Sequence, residues 1–182
     1  MNKTNHGAVA LRRAEARDVE KVIGLAQRIW SAHYTSIIGS AQIEYMLARM
    51  YSAGVILKEI TSLAIVYELA EARGDSVGYC SFGPGPAPGE MKLHKLYVLP
   101  ENQGAGIGRK LLLSAAEWGV ESAFENLILS VNKRNQQALG AYRRYGFVIR
   151  EEVVVDIGGG FVMDDYIMTS PIRSLLRTSA VV

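Results

Sequence analysis

Leu96-Tyr97-Val98-Leu99-Pro100-Glu101-Asn102-Gln103-Gly104-Ala105-Gly106-Ile107-Gly108-Arg109 is the stretch on which the reading of the fold turns. An apolar run ends a strand, Pro100 closes it, and glycines at 104, 106 and 108 lead into an amphipathic helix that reaches Ser122. Glycine lets backbone N–H groups approach a ligand with no Cβ in the way. The helix N-terminus adds unpaired donors and the positive end of the helix dipole, and together these make an anion site suited to a pyrophosphate. A turn that only packs a helix on a sheet would have the same composition, so the glycines alone leave both readings open. Two common phosphate motifs are excluded. The fingerprint G-x-G-x-x-G meets Arg109 where its third glycine belongs, and no Gly-Lys-Ser/Thr tripeptide occurs.

Working outward, Val9–Arg13 reads as a short strand. Val19, Val22, Ile23, Ala26 and Trp30 then fall on one helical face. A second helix starts at Ser40 as its N-cap, buries Ile43, Met46, Leu47 and Met50, and ends at Gly54. The connection 54–61 has no assignment. Ser62–Leu69 and Ser76–Phe82 read as neighbouring strands around a turn at Ala70–Asp75. Gly83–Gly89, with three of the five prolines, is a loop, and Met91–Leu99 is the next strand.

Downstream, Leu127–Val131 is a strand. Ala138, Ala141, Tyr142 and Tyr145 mark a helix face ended by Gly146. Phe147–Ile157 and Phe161–Thr169 are strands joined around Gly158–Gly160, and Ser170-Pro171 starts a short tail helix. The order β-α-α-β-β-β-α-β-α-β-β predicts an α/β (α+β) fold: a mixed, mostly antiparallel central sheet flanked by helices. Residues 1–7 read as a disordered lead-in, 8–169 as a single domain and 170–182 as a tail.

At 182 residues, 49% apolar and 21% charged, the chain has the composition of a soluble globular domain. A net charge of +2 supplies no electrostatic reason to expect nucleic acid. One cysteine, Cys80, forms no internal disulfide, and the expected compartment is the reducing cytoplasm. Three histidines and one cysteine leave little for a soft-metal site, so no metal is expected. No apolar run reaches the ~18 residues of a membrane span.

A second segment adds specificity: Asn132-Lys-Arg-Asn135-Gln-Gln-Ala138-Leu-Gly-Ala-Tyr142-Arg-Arg-Tyr145-Gly146-Phe147. Gln103-Gly-Ala-Gly106-Ile-Gly108 resembles the Gln/Arg-x-x-Gly-x-Gly/Ala signature of the GCN5-related N-acetyltransferases (GNAT). Asn135-x-x-Ala138-x-x-x-Tyr142-x-x-x-Gly146-Phe147 is similar to that family's second motif, at the family's spacing. The resemblance covers residues 8–169. It implies acetyl-CoA as cofactor and acetyl transfer to a primary amine through a tetrahedral intermediate.

By the same resemblance, Gln103, Gly104, Ala105, Gly106, Ile107, Gly108 and Arg109 hold the pyrophosphate. Leu96, Tyr97 and Val98 offer backbone groups to the pantetheine arm, and an amide near Val98 stabilises the oxyanion. Asn135 and Ala138 lie beside the cofactor, and Tyr142 donates a proton to the leaving thiolate. The alternative for Tyr142 is a core tyrosine. No motif position decides the base. His94 and Glu90 are the candidates, His94 on a segment similar to the histidine-bearing strand of serotonin-type arylalkylamine acetyltransferases, and a water chain is the third possibility.

Trp30, His33, Tyr34 and Glu44 would wall the acceptor site, in a stretch similar to polyamine and other small-amine acetyltransferases. Asp164 and Asp165 are further carriers of charge. The alternatives are a core Trp30 and a solvent-facing Glu44. Cys80 reads as a small buried hydrophobe. The expected partner is a small-molecule amine such as a polyamine or amino acid, and a homodimer built on the two C-terminal strands and the tail is expected by analogy. Three function classes stay open: a transferase acting on small molecules or on protein amines, a non-catalytic acyl-CoA-binding module, and a nucleotide-binding protein.

Overall fold

The computed structural model describes residues 8–62 and 64–177. Its strands are β1 (Ala10–Arg13), β2 (Val66–Ala72), β3 (Asp75–Pro84), β4 (Glu90–Val98), β5 (Asn126–Asn132), β6 (Val148–Gly158) and β7 (Phe161–Pro171). Its helices are α1 (Val19–His33), α2 (Thr35–Ile38), α3 (Ser40–Met50), α4 (Ala53–Thr61), α5 (Ile107–Glu121), α6 (Gln136–Arg144) and α7 (Ile172–Arg177). The strands form one seven-stranded sheet in the order β1-β2-β3-β4-β5-β7-β6. β4 and β5 are parallel, with Glu90 opposite Asn126 and Leu93 opposite Leu129, as a crossover through α5 requires. The β1–β2, β5–β7 and β6–β7 pairs are antiparallel. The mixed, mostly antiparallel sheet matches the expectation from sequence.

The helices before β2 do not. The sequence reading has two, and the described residues contain four. Gly54 is not a stop: α3 ends at Met50, and Gly54 lies in the first turn of a new helix. Ser52 caps that helix, its Oγ accepting from the Val55 amide at 3.4 Å. A first-turn residue has no intrahelical acceptor for its amide, which is why a glycine is tolerated there. Ser40 is likewise the first residue of α3 and not its cap, a place held by Gly39. β2 begins at Val66, four residues later than read. The lead-in 1–7 and residues 178–182 of the tail lie outside the described residues.

The chain divides into two compact units. The first comprises residues up to Ser81 together with Lys95–Leu112. Its core is the apolar stripe of α1 (Val22, Leu25, Ala26, Ile29, Trp30) with Ile43, Met46, Ile56, Leu69 and Tyr79, all buried. The second comprises Phe82–His94 and the chain from Leu113 onward. There Phe82, Met91, Leu93, Leu127, Leu129, Met168 and Ile172 are buried, and the Trp118 ring sits 5.3 Å from Phe82 and 5.8 Å from Phe124.

One ion pair ties β1 to the start of α1. Arg12 donates to both oxygens of Asp18, at 2.7 and 2.8 Å, and the Glu15 amide adds a third bond at 3.0 Å. Asp18 is 1% exposed. Arg12 first, then the Glu15 amide, hold its carboxyl well below the usual range against the opposing effect of burial. A carboxyl whose folded pKa is depressed contributes stability above its unfolded value near ~3.9, and that contribution is lost as pH falls below it. Asp18→Asn is expected to cost about 1–3 kcal/mol at pH 7 and to flatten the fall in stability below about pH 4. Urea unfolding at pH 7 and pH 3 checks both.

Candidate active site

β4 ends at Val98, Pro100–Asn102 makes one 3-10 turn, and Gln103 returns to extended backbone before α5 begins. The Gln103 side chain donates to the Val98 carbonyl at 3.2 Å, clamping the turn to the strand end. Gly104 and Gly106 both have φ of +78°. A Cβ at either would meet nothing within 4 Å, so these glycines answer to backbone angle and leave the space above the turn open. Among the described residues, none accepts from the amides of Gly104, Ala105, Gly106, Ile107 or Gly108. Five adjacent donors at the mouth of a 15-residue helix fit a pyrophosphate. Gly106→Ala forces an L-residue into left-handed backbone, at about 1–2 kcal/mol. It is expected to raise the KM for the acetyl donor about 5- to 30-fold with little change in kcat, in steady-state assays.

Gly78 of β3 is a residue the sequence reading missed. A Cβ there would sit 2.6 Å from the Tyr97 carbonyl oxygen and 3.2 Å from the Val98 Cα. Only glycine lets β3 support β4 so closely where the motif places the pantetheine contacts.

Of the expected acceptor residues of the first unit, Trp30, His33 and Tyr34 fall into an aromatic cluster. Trp30 lies 5.1 Å from Tyr34, 5.6 Å from Tyr51 and 6.0 Å from Tyr97 between ring centroids. The His33 ring stands edge-on to Tyr34 at 4.9 Å. Trp30 is buried, His33, Tyr34 and Tyr97 are half-buried, and Glu44 is exposed on α3. Cys80 is fully buried, and burial pushes its thiol well above the ordinary value, so it holds no reactive thiolate.

Behind the cluster is a network with no signal in the sequence. Lys95 of β4 is 8% exposed, and its Nζ is 2.7 Å from Glu59 of α4. The ammonium also lies 5.6 Å from the Tyr51 ring centroid and 5.2 Å from that of Tyr67. The Tyr67 hydroxyl donates to the same Glu59 oxygen, and Tyr79 donates to Tyr51 at 3.0 Å. Burial lowers the Lys95 pKa, partly offset by Glu59, and pushes Tyr51, Tyr67 and Tyr79 up. The Glu59 carboxylate of this network is already paired, whereas Glu44 is exposed on α3.

In the second unit Asn135 is the N-cap of α6, its Oδ1 accepting from the Ala138 amide at 3.1 Å, and it is buried. Ala138 and Tyr142 are half-buried along α6. The residue that anchors this helix is Leu139, 1% exposed, which the sequence reading passed over. The Tyr142 ring meets Phe147 edge-on at 5.5 Å. Of the two candidate bases, His94 is exposed, whereas Glu90 is bound by Arg150 at 2.5 Å. Glu90 is committed to that ion pair through Oε1, whereas His94 lies at the surface of β4. Asp164 pairs with Lys133 at 2.6 Å, and Asp165 is buried, its carboxyl pushed up by desolvation. Among the described residues no group of three or more His, Cys, Asp or Glu side chains is arranged for a metal, and no helix is long and apolar enough to cross a membrane.

Comparison with known proteins gives one answer. Residues 28–147 match the acetyltransferase (GNAT) family model. The spermidine N(1)-acetyltransferase of Thermoplasma acidophilum is 25% identical over 161 residues, 86% of this chain and 96% of that protein. The uncharacterized N-acetyltransferase YuaI of Bacillus subtilis is 28% identical over 130 residues, 70% of this chain and 73% of its own. The crystal structure of the PaiA N-acetyltransferase of T. acidophilum in complex with coenzyme A superposes with a TM-score of 0.78 at 25% identity, covering 90% of this chain and 99% of that one. With a family match that runs from α1 to the residue after Gly146, the chain belongs to the acetyltransferase (GNAT) family of enzymes.

Proposed function

We propose that the chain transfers the acetyl group of acetyl-CoA to a primary amine of a small molecule, by direct attack of the amine, with residues 8–169 as the catalytic domain. The observation that carries this is the Gln103–Arg109 turn, where five amides without an acceptor crown the start of α5. Acetyl-CoA supplies an acetyl group activated as a thioester. The chain's residues do the rest. Gln103–Arg109 bind the pyrophosphate, the backbone of Leu96–Val98 aligns the pantetheine arm, and an amide near Val98 steadies the carbonyl oxygen as it gains charge. Asn135 fixes the start of α6, and Tyr142 hands a proton to the departing sulfur. His94 is the candidate for taking the proton from the amine. The buried thiol of Cys80 supports direct transfer over an acetyl-cysteine route.

Trp30, His33 and Tyr34, with Tyr97, supply aromatic faces for the acceptor. The spermidine specificity named for the T. acidophilum relative supports a small amine and puts polyamines first among acceptors to try. A cytoplasmic location and a homodimer complete the reading. The homodimer is supported by β6, the last strand of the sheet, which exposes Val148 (61%), Val154 (66%) and Val155 (51%). An uncovered edge of that kind invites pairing. Light scattering should give twice the chain mass, and a monomer at all concentrations would remove this part.

The test of the activity is thiol release from acetyl-CoA with pooled polyamines, amino acids and peptides, against a no-acceptor control. Release that depends on a small-amine pool supports the proposal. Release only with peptides would move the acceptor to protein amines. Coenzyme A binding without release from any pool would favour a non-catalytic acyl-CoA module.

A further inference from the structure

The β4–β5–β7 sheet of the second unit has two unlike faces. Met91, Leu93, Leu127, Leu129, Met168 and Ser170 share one of them, and all are buried. A Cβ at Gly119 of α5 would lie 3.2 Å from the Met91 Sδ, and one at Gly146, just after α6, 3.9 Å from the Ser170 Oγ, so this is the face beneath the two helices. Strand alternation turns Lys92, His94, Ser130, Asn132, Asp165 and Ile167 to the opposite face. His94 is exposed there, and Lys92, Ser130, Asn132 and Ile167 are half-buried. Asp165 is the exception, at 5% exposed.

This carboxylate is poorly compensated. Asp165 stands opposite Asn132 across β5 and β7, and its hydrogen bond from Asn132 Nδ2 is 3.5 Å long, at the limit for such a bond. The rest of Asn132 builds the entry to α6: its Oδ1 accepts from the Arg134 amide at 3.0 Å and its carbonyl from the Asn135 amide at 2.9 Å. Among the described residues no Lys, Arg or His lies within ion-pair distance of Asp165. The nearby ammonium of Lys133 is bonded to Asp164 at 2.6 Å and to Glu152 at 2.9 Å, and Lys92 acts on Asp165 only through space. Desolvation raises the Asp165 carboxyl above its ordinary value, with Asp164 adding to the shift and Asn132, Lys92 and Lys133 opposing it. Asp18, buried as deeply, has Arg12 on both oxygens. A carboxylate taken out of water without such a partner is costly, and a cation brought into contact relieves that cost.

We infer that Asp165 receives a second, non-reacting ammonium of the acceptor, so that the acceptor is a diamine or polyamine and not a monoamine or an amino acid. The inference rests on the small-amine transferase reading above and names the substrate class within it. His94, the candidate for taking the proton from the amine, is on the same face and two strands away, so the reacting and the anchoring nitrogen are separate atoms of one acceptor. An acceptor that carried a carboxylate in place of the second ammonium would set like charges against each other at Asp165, which selects against amino acids. Lys92 shares the face and repels an incoming ammonium, so its charge weakens the binding of such an acceptor.

Steady-state acetylation of spermidine, putrescine and butylamine by the full chain tests this, since butylamine has the carbon chain of putrescine and no second ammonium. The parent is expected to favour spermidine or putrescine over butylamine by about tenfold or more in kcat/KM. Asp165→Asn keeps the shape and removes the charge. It is expected to raise the KM of the favoured polyamine about 10- to 100-fold, with kcat within about threefold and the KM of butylamine within about twofold. Asp165→Glu should recover part of the loss, and Lys92→Met should lower the polyamine KM about two- to fivefold. No preference for the polyamines in the parent, a preference that persists in Asp165→Asn, or an equal loss for polyamine and butylamine overturns the proposal. Calorimetric titration of spermidine into the protein saturated with coenzyme A reads the same contact without turnover. Binding about tenfold weaker in Asp165→Asn is expected, and equal binding overturns the proposal. Should Asp165→Asn not fold, Lys92→Met decides, and unchanged spermidine affinity in that variant overturns it. Spermidine held through Asp165 with no transfer to any amine would overturn the transferase reading alone.

Discussion

Tyr142→Phe is expected to lower kcat by about 10²–10⁴-fold, the usual contribution of a positioned general acid, while leaving the affinity for coenzyme A within about twofold. The substitution removes one oxygen and keeps the ring. The edge-on contact with Phe147 at 5.5 Å, the cap by Asn135 and the burial of Leu139 are all untouched, so α6 keeps its place. A thiolate that leaves without a proton donor leaves charged, and the barrier rises by the cost of that charge. Steady-state kinetics with calorimetric coenzyme A binding separates the outcomes. A fall in kcat at constant affinity is the acid's signature. An unchanged kcat would return Tyr142 to the role of a packing residue and leave the acid to solvent.

Glu59→Ala is expected to destabilise the protein by about 3–5 kcal/mol, because it strands a buried ammonium. Lys95 is 8% exposed, and among the described residues its ion-pair partner is Glu59. The two tyrosine faces at 5.2 and 5.6 Å help hold the charge without replacing its partner. The Tyr67 hydroxyl loses its acceptor in the same change. The double variant Lys95→Met with Glu59→Gln is expected to lie within about 1 kcal/mol of the parent, since a buried pair replaced by matched neutral groups is often near neutral.

The pH dependence follows from the direction of the Lys95 shift. Its folded pKa is below 10.5, so above neutrality the unfolded chain binds more protons than the folded one. Stability from this group therefore rises with pH towards the unfolded value and falls as pH drops. Removing Glu59 removes what opposes the shift, so the rise between pH 7 and about 10 should be steeper in Glu59→Ala than in the parent. Urea midpoints across that range check it, and equal slopes would mean that water reaches Lys95.

The residues that name the chemistry were legible because they answer to local rules. Gly104 and Gly106 are glycines because each φ is +78°, and a backbone angle is a property of one residue. Asn135 caps α6 through a bond to Ala138, three positions away. The stripe of α1 follows from a period of 3.6 residues. Helix α4 had a local signal too, Ser52 at its N-cap, but Gly54 two residues later reads as a stop. The burial of Ile56 against the rest of the first unit outweighs that glycine.

The sequence by itself determined the strand, glycine turn and helix of residues 96–121, the spaced motifs of α6 and the mostly antiparallel α/β order. What only the tertiary structure decided is which charges meet. Lys95 and Glu59 are 36 residues apart, and Arg150 and Glu90 are 60 apart. Periodicity tells which way a side chain points and not what stands opposite. The partner of a buried charge is settled by burial itself, because an ammonium without a carboxylate in that place would cost more than the fold can offset.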